Sequence, residues 1–180
     1  MIYCFNHNVI SKKKAKSLVK FIRKNHDGLE EENMGAKDLF GNRKKFTKTL
    51  KIKYGKIKDK LGDIPELIKD INLREFGYHI DKFDTESCIM NTYGPGDKYG
   101  WHHDESRSPV FDTKISCLIN LSDSYEGGEF YTFTGEEILV PEAVPGSLIM
   151  LKSYIVHRVA EVLSGERITL TLFMNGPKFR

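Results

Sequence analysis

Beyond Phe76 the sequence divides into short runs rich in β-branched and aromatic residues, separated by turn-forming residues. The turns fall at Pro95-Gly96, Gly127-Gly128, Thr134-Gly135, Pro145-Gly146 and Ser164-Gly165. Strands are predicted at 77–81, 85–93, 113–121, 128–133, 136–140, 147–152, 155–162 and 166–174. Many short strands at close spacing are typical of sandwiches and jelly rolls. The pattern therefore predicts a mainly β fold.

The N-terminal third shows helical spacing instead. Ser11 is a suitable N-cap for an amphipathic helix that ends near Asp27-Gly28. Its apolar residues at helical spacing are Ala15, Leu18, Val19 and Ile22. A second helix is predicted over 54–73, interrupted at Gly62 and Pro65. Its apolar stripe consists of Ile57, Leu61, Ile64, Leu67 and Ile71.

The remaining pattern shows no domain boundary. Residues 28–50 have no clear period and are predicted to be partly loop, and neither a repeat nor a linker occurs. We therefore predict one domain over 1–180, of α+β composition but mainly β. Residues 1–75 would form a helical N-terminal support packed on one sheet, and residues 76–176 a jelly-roll core.

Charge is distributed unevenly along the chain. Residues 1–60 hold 17 Lys and Arg against 6 Asp and Glu, while the remainder holds 11 against 19. A basic segment of this kind can bind an acidic partner, such as nucleic acid, a membrane surface or an acidic peptide. A solvated helix face also explains the excess of basic residues, and we favour that interpretation.

The sequence favours a cytoplasmic protein. No window approaches the roughly 18 consecutive apolar residues of a membrane helix, and the N-terminus lacks the order of a signal peptide. The three cysteines, Cys4, Cys88 and Cys117, are odd in number and far apart, which favours free thiols over disulfides. Cys88 and Cys117 lie in apolar runs and are expected in the core.

Residues 93–106, YGPGDKYGWHHDES, contain a candidate metal-binding pair. If the chain from Tyr99 to Asp104 is a strand, His102 and Asp104 share one face and His103 lies on the other. An HxD pair alone is weak evidence and needs a third ligand. His157 is the histidine that follows a strand–turn–strand unit in the β-rich half. Two histidines and a carboxylate form the facial triad of non-haem Fe(II) oxygenases, which leaves three iron positions open.

Arg167 opens the apolar strand RITLTLF ten residues after His157. A buried arginine is costly unless a carboxylate pairs with it, and its planar fork suits a dicarboxylate. Thr169 and Thr171 share its strand face and could offer hydroxyls to the same ligand. An arginine at a strand end that reaches solvent is the alternative, and the spacing alone leaves both open.

Together these residues resemble a known catalytic core. The ordered motif is Tyr93-x-x-Gly96-x-x-Tyr99-x-x-His102-x-Asp104, then Leu121-Ser122-Asp123, Glu126-Gly127-Gly128-Glu129, Pro145-Gly146, His157 and Arg167. It is similar to the prolyl 4-hydroxylase-like 2-oxoglutarate/Fe(II)-dependent dioxygenases, over about residues 75–175. The first 70 residues carry no comparable motif.

The resemblance implies a double-stranded β-helix that holds Fe(II) through His102, Asp104 and His157. Arg167 would bind the distal carboxylate of 2-oxoglutarate. The same cosubstrate would be contacted by Tyr93, Asn120 and Thr171. The substrate entrance would be flanked by Tyr99 and Trp101. O₂ is the oxidant, and ascorbate is an optional reductant. Many animal and plant members carry lysine at the Arg167 position, whereas the arginine resembles oxygen-sensing prolyl hydroxylases and bacterial PKHD-type proteins.

Four functions remain open at the level of sequence. The first is hydroxylation of a peptidyl residue, above all proline, in a protein or peptide partner, with release of succinate and CO₂. The second is hydroxylation of a free amino acid or other small metabolite. A nucleic-acid demethylase resembling AlkB would fit Asn91-x-Tyr93, but that family carries a second arginine where this chain has Phe173. A catalytically silent jelly-roll binding module would not need an intact triad. Neither nucleic acid nor a membrane is an expected partner.

Overall fold

The computed structural model describes residues 3–6, 8–30, 37–42, 45–83, 88–104, 108–140 and 144–179. The helices are α1 Lys12–Asn25, α2 Tyr54–Leu61 and α3 Ile64–Ile71, and α3 continues into a π-helical turn, Asn72–Phe76. The strands are β1 Tyr3–Asn6, β2 Gly28–Glu30, β3 Lys45–Phe46, β4 Lys48–Ile52, β5 Lys82–Phe83, β6 Cys88–Tyr93, β7 Lys98–His102, β8 Phe111–Asn120, β9 Tyr125–Gly127, β10 Phe130–Phe133, β11 Glu137–Leu139, β12 Leu148–Lys152, β13 Val156–Val159, β14 Val162–Gly165 and β15 Arg167–Pro177.

Most strands form two antiparallel sheets. The major sheet has the order β1-β12-β8-β15-β6-β4-β2, with β5 beside β15, and the minor sheet has the order β11-β10-β13-β7-β3. Strands β9 and β14 form a separate pair. Side chains from both sheets meet in an apolar layer of Tyr93, Phe130, Val140, Ile149, Leu151, Val159 and Val162. The prediction of a mainly β jelly roll, a double-stranded β-helix, is confirmed.

The helices lie close to the predicted positions, although α1 ends at Asn25, before Asp27-Gly28, and α3 ends at Ile71. The Ser11 hydroxyl accepts a hydrogen bond from the Lys14 backbone N–H at 3.2 Å and caps α1. The predicted second helix is divided into α2 and α3, because Gly62, with a φ of 63°, ends α2 and Pro65 lies in the first turn of α3. The interruption is therefore confirmed.

All three helices pack against the outer face of the major sheet, as predicted. Buried residues from α1, α2 and α3 include Ala15, Leu18, Ile22, Ile57, Leu61, Ile64, Ile68 and Ile71. They join sheet residues such as Met90, Cys117 and Leu170 in one apolar cluster. Each fully buried Leu or Ile contributes roughly 1.5 to 3 kcal/mol to stability. Within the described residues, none of the helices is long and apolar enough to cross a membrane.

The N-terminal third supplies strands as well as helices, which its sequence did not reveal. Strands β2 and β4 extend the major sheet beyond β6, and β3 pairs with β7 of the minor sheet. Residues 77–81, predicted as a strand, form none, although the Asp81 N–H donates to the Asn175 carbonyl before the short β5. The predicted strand 155–162 is divided between β13 and β14. Residues 84–87, part of another predicted strand, lie outside the described ranges.

Part of the basic charge of α1 is paired with the acidic β half. Lys12 and Lys16 lie 2.6 and 3.2 Å from the Asp123 carboxylate, and Arg23 lies 3.3 Å from Glu166. Hydrogen bonds from the two lysines lower the pKa of Asp123. Because these pairs lie near solvent, they contribute little to the stability of the fold.

The cysteines that the structure describes are free and buried, as predicted. Cys88 and Cys117 are 1% and 0% exposed and form no disulfide. Burial raises the pKa of the Cys117 thiol, so it remains protonated and unreactive. The side chain of Cys4 lies outside the described part of the chain.

Candidate metal and carboxylate site

A cavity lies between the two sheets, at one end of the apolar layer. Its walls carry both polar and apolar side chains. It is lined by Ile89, Asn91, Tyr93, Tyr99, His102, Asp104, Leu118, Phe130, His157, Val159, Arg167, Thr169, Thr171 and Phe173. Candidate metal ligands and a candidate carboxylate-binding arginine thus share one enclosed space.

The two histidines face each other across the pairing of β7 and β13. His102 lies directly opposite His157 in the antiparallel register, so both side chains project from the same face of the minor sheet. Their ring centroids are 4.2 Å apart, and both residues are buried. The pairing of residues 55 positions apart in sequence therefore places both imidazoles in the cavity.

Backbone carbonyls fix the orientation of both imidazole rings. Nδ1 of His102 lies 2.7 Å from the Gly100 carbonyl oxygen, and Nδ1 of His157 lies 2.8 Å from that of Ile155. A carbonyl only accepts hydrogen bonds, so Nδ1 must carry the proton in each ring. Each Nε2 is then left with a lone pair. Metal-ligating histidines are typically oriented in this way.

Asp104 completes the cluster from beyond the end of β7. The strand ends at His102, so the expectation that it continues to Asp104 is corrected; the Asp104 N–H instead donates to the Ser153 carbonyl at 2.8 Å. Its Oδ1 lies 3.8 Å from Nε2 of His102, and its Oδ2 lies 3.6 Å from Nε2 of His157. One ligand atom from each residue lies within 4.8 Å of the others. Two imidazoles and one carboxylate fit an Fe(II) site with open positions.

Arg167 lies in the same cavity with part of its guanidinium unpaired. The residue is 2% exposed, and its Nε and Nη1 have no hydrogen-bond partner among the described residues. A buried cation without a partner is strongly unfavourable, so a carboxylate ligand is the simplest complement. The alternative of an arginine that reaches solvent does not agree with this burial.

Tyr93 lies directly opposite Arg167 in the pairing of β6 and β15, with the guanidinium carbon 5.4 Å from the ring centre. Burial raises the pKa of Tyr93, so its hydroxyl remains protonated. Thr169 and Thr171 lie on the Arg167 face of β15 and line the cavity. The cavity wall around the arginine therefore offers hydroxyls to an anionic ligand, and the residues fit a dicarboxylate.

The other residues expected at the site are Tyr99, Trp101 and Asn120, and each of them lies in a different environment. Tyr99 lines the cavity and stacks on His102, with ring centroids 3.6 Å apart and planes at 12°. Trp101 lies outside the set of lining residues; it contacts Phe133 and Arg158 beside a neighbouring groove. Asn120 is buried, but its Oδ1 accepts hydrogen bonds from Ser122 in the turn after β8. It too is absent from the cavity lining.

Two contacts of the site were not expected from the sequence. The Ser116 hydroxyl donates to Oδ2 of Asp104 at 2.6 Å. Gly128, expected only to make a turn, lies against Arg167: with a φ of +67°, a Cβ there would be 2.7 Å from Cδ of Arg167. The Gly127-Gly128 pair was the one signal for this contact, since two consecutive glycines often permit close approach of another chain segment.

We expect Gly128→Ala to destabilise the protein and displace Arg167. The variant should lose about 1 to 3 kcal/mol of unfolding free energy from overpacking, in addition to the cost of its left-handed backbone. Gly77→Ala is the matched control, because Gly77 has a φ of +68° and no atom within 4 Å of its Cβ position. Urea denaturation of both variants measures the difference. Equal losses would show that contact with Arg167 is unimportant.

Sequence comparison finds a match to a known superfamily over the part of the chain that contains the cavity. Residues 88–175 match the sequence profile of the 2OG-Fe(II) oxygenase superfamily. A PKHD-type hydroxylase of Synechococcus sp. (strain CC9605) is 36% identical over 87 residues, covering 45% of this chain and 38% of the relative. A PKHD-type hydroxylase of Sphingopyxis alaskensis is 35% identical over 92 residues, covering 48% and 42%. The matched part thus spans about two fifths of these curated relatives.

Solved structures share the fold over almost the whole chain. A Pseudomonas putida prolyl-4-hydroxylase has a TM-score of 0.74 at 20% identity, covering 98% of this chain and 93% of that one. The 2OG complex of a viral collagen prolyl hydroxylase from Paramecium Bursaria Chlorella virus-1 has a TM-score of 0.69 at 19% identity, covering 98% and 97%. A Trichoplax adhaerens prolyl hydroxylase, in complex with a hypoxia inducible factor peptide fragment, has a TM-score of 0.71 at 15% identity, covering 96% and 82%. At these identities the likeness establishes the fold.

Proposed function

We propose, from the match of residues 88–175 to the 2OG-Fe(II) oxygenase superfamily, that the protein is a 2-oxoglutarate- and Fe(II)-dependent dioxygenase that hydroxylates an unactivated C–H bond. The observation that carries the proposal is the juxtaposition in one cavity. Two imidazoles, each oriented by a backbone carbonyl at Nδ1, and a carboxylate lie beside a buried, incompletely paired guanidinium.

Each residue has a defined role in this proposal. His102, His157 and Asp104 hold Fe(II), and Arg167 binds the distal carboxylate of 2-oxoglutarate with hydroxyls from Tyr93 and Thr171 nearby. When bound, Fe(II) and 2-oxoglutarate activate O₂, so that the substrate gains a hydroxyl while 2-oxoglutarate is converted to succinate and CO₂. Leu118, Phe130 and Val159 give the cavity apolar walls, which limit the access of water.

The proposed substrate is a proline residue in a peptide or protein. The PKHD-type names of the relatives and the prolyl hydroxylases among the solved structures support this choice, and one of those structures holds a peptide. Tyr99, on the cavity wall, is the residue expected to contact the substrate there. Trp101 would contact it only outside the cavity, next to Phe133.

A nucleic-acid demethylase is less well supported by the cavity. Phe173, six residues after Arg167, lines the wall at the position where AlkB-like enzymes carry a second arginine. The described lining therefore offers a single guanidinium. Hydroxylation of a free amino acid or another small metabolite is compatible with the same geometry, and only the choice of substrate in an assay separates it from peptidyl hydroxylation.

We expect iron-loaded protein to release succinate from 2-oxoglutarate when O₂ is admitted, and a proline-rich peptide to stimulate this release. Iron is loaded anaerobically, and the assay is run with and without ascorbate. Mass spectrometry of the peptide should show the addition of one oxygen atom. Succinate release that no peptide stimulates would support the oxygenase reaction and indicate a small metabolite as the substrate. Absence of both iron binding and succinate release would contradict the proposed reaction and indicate a binding module without catalytic activity.

A further inference from the structure

Asp104 differs from the two histidines in how the fold supports it. His102 and His157 lie within paired strands, whereas Asp104 lies two residues beyond the end of β7. Two contacts hold it: its N–H donates to the Ser153 carbonyl, and its Oδ2 accepts from the Ser116 hydroxyl at 2.6 Å. The side chain of this ligand is therefore oriented by Ser116.

Ser116 is held rigidly enough to orient a carboxylate. It lies within β8, paired with Leu151 of β12 on one side and with Phe173 of β15 on the other, and it is 0% exposed. An ionised carboxylate only accepts, so the serine O–H is the donor. The short distance is typical of a charge-assisted hydrogen bond.

The orientation of Asp104 determines how many metal positions it occupies. Both carboxylate oxygens lie near the histidines, Oδ1 at 3.8 Å from His102 and Oδ2 at 3.6 Å from His157. A carboxylate that used both oxygens would fill one of the three positions that the facial arrangement leaves open. The hydrogen bond from Ser116 occupies one of the two lone pairs of Oδ2, which favours Oδ1 as the oxygen that binds a metal.

We propose that Ser116 is a positioning residue that holds Asp104 as a one-oxygen ligand through Oδ1. The inference rests on the proposed Fe(II) site and identifies a residue that controls its geometry. Partners that orient metal ligands typically contribute a factor of about 10 to 100 to metal affinity. Ser116, twelve residues from Asp104 in sequence, acts on the metal only through this carboxylate.

The test compares Ser116→Ala with Ser147→Ala. Ser147 is the matched control because it is also 0% exposed, but its hydroxyl has no hydrogen-bond partner among the described residues. Co(II), a spectroscopic substitute for Fe(II), is titrated into each protein, and its visible absorption is recorded before and after addition of 2-oxoglutarate. Circular dichroism verifies that each variant is folded.

We expect Ser116→Ala to bind Co(II) about 10- to 100-fold more weakly, with an altered absorption spectrum in the 2-oxoglutarate complex. Ser147→Ala should match the wild type, and Ser116→Thr, which keeps a hydroxyl, should largely restore affinity and spectrum. Unchanged affinity and spectrum in folded Ser116→Ala would overturn the inference, as would equal weakening in Ser147→Ala. Failure of the wild type to bind Co(II) would instead overturn the proposed function.

Discussion

Replacing Arg167 by methionine should strongly weaken the binding of 2-oxoglutarate and, at the same time, stabilise the ligand-free protein. The two effects have opposite signs because the buried guanidinium has unpaired Nε and Nη1 atoms until a carboxylate arrives. Removing one partner of a buried charge pair typically costs about 2 to 5 kcal/mol of binding free energy. Affinity should therefore fall roughly 30-fold to several thousand-fold.

The gain in stability follows from the same unpaired atoms. Removing a buried polar group without a partner recovers a desolvation cost of about 1 to 3 kcal/mol, and methionine fills much of the space of the arginine stem. Urea denaturation without ligand measures this gain, and titration with 2-oxoglutarate measures the loss. Arg167→Lys keeps the charge but not the planar fork, so its affinity for 2-oxoglutarate should lie between those of the wild type and Arg167→Met. A variant that lost stability while binding 2-oxoglutarate normally would contradict both the burial argument and the assigned role.

Replacing His157 by alanine should abolish metal binding and all metal-dependent turnover while leaving the protein folded. Loss of a direct ligand should weaken binding by more than the roughly 100-fold that a lost supporting contact costs. The fold should survive, because truncation of one buried side chain typically costs about 0.5 to 3 kcal/mol. His79→Ala is the control, since His79 is an exposed histidine outside the cavity.

Thermal unfolding with and without metal provides a readout that does not require the substrate. A metal present at 100 times its dissociation constant stabilises a folded protein by about 2.7 kcal/mol. This stabilisation should be present in the wild type and in His79→Ala and absent in His157→Ala. If His157→Ala retained metal-dependent stabilisation, the histidine would not be a ligand.

The sequence indicated several residues that the structure places in the cavity, because residue chemistry and the order of a motif pointed to the same positions; their roles stay predictions. His102 and Arg167 were indicated both by residue chemistry and by the spacing of a motif that resembles a known catalytic core. The structure brings them together with His157 and Asp104 in one cavity. What the sequence could not show is the support of Asp104 by Ser116, because that contact depends on how β8 lies beside the end of β7.

The alternation of side chains between the two faces of a strand predicts where the Trp101 side chain lies. It directly precedes His102 in β7, so its side chain belongs on the opposite face of the minor sheet, where it contacts Arg158. The resemblance favoured a place at the substrate entrance, which stays a prediction.

Strand β4 was missed for a different reason: its residues KTLKI carry no long apolar run, and its position depends on pairing with the distant β6. A single domain over 1–180 also stays a prediction.

The helical layer lies behind one sheet only. Arg167, Tyr93 and Ser116 belong to the major sheet, whose outer face is covered by α1, α2 and α3. Trp101, Phe133 and Arg158 belong to the minor sheet, against which no described helix packs. The wall of the cavity that carries Arg167 is thus backed by helices, whereas the wall that carries His102 and His157 has an outer face on which no described helix lies. Substitutions on that outer face, at Trp101, Phe133 or Arg158, would change the surface of the molecule without disturbing the helical layer.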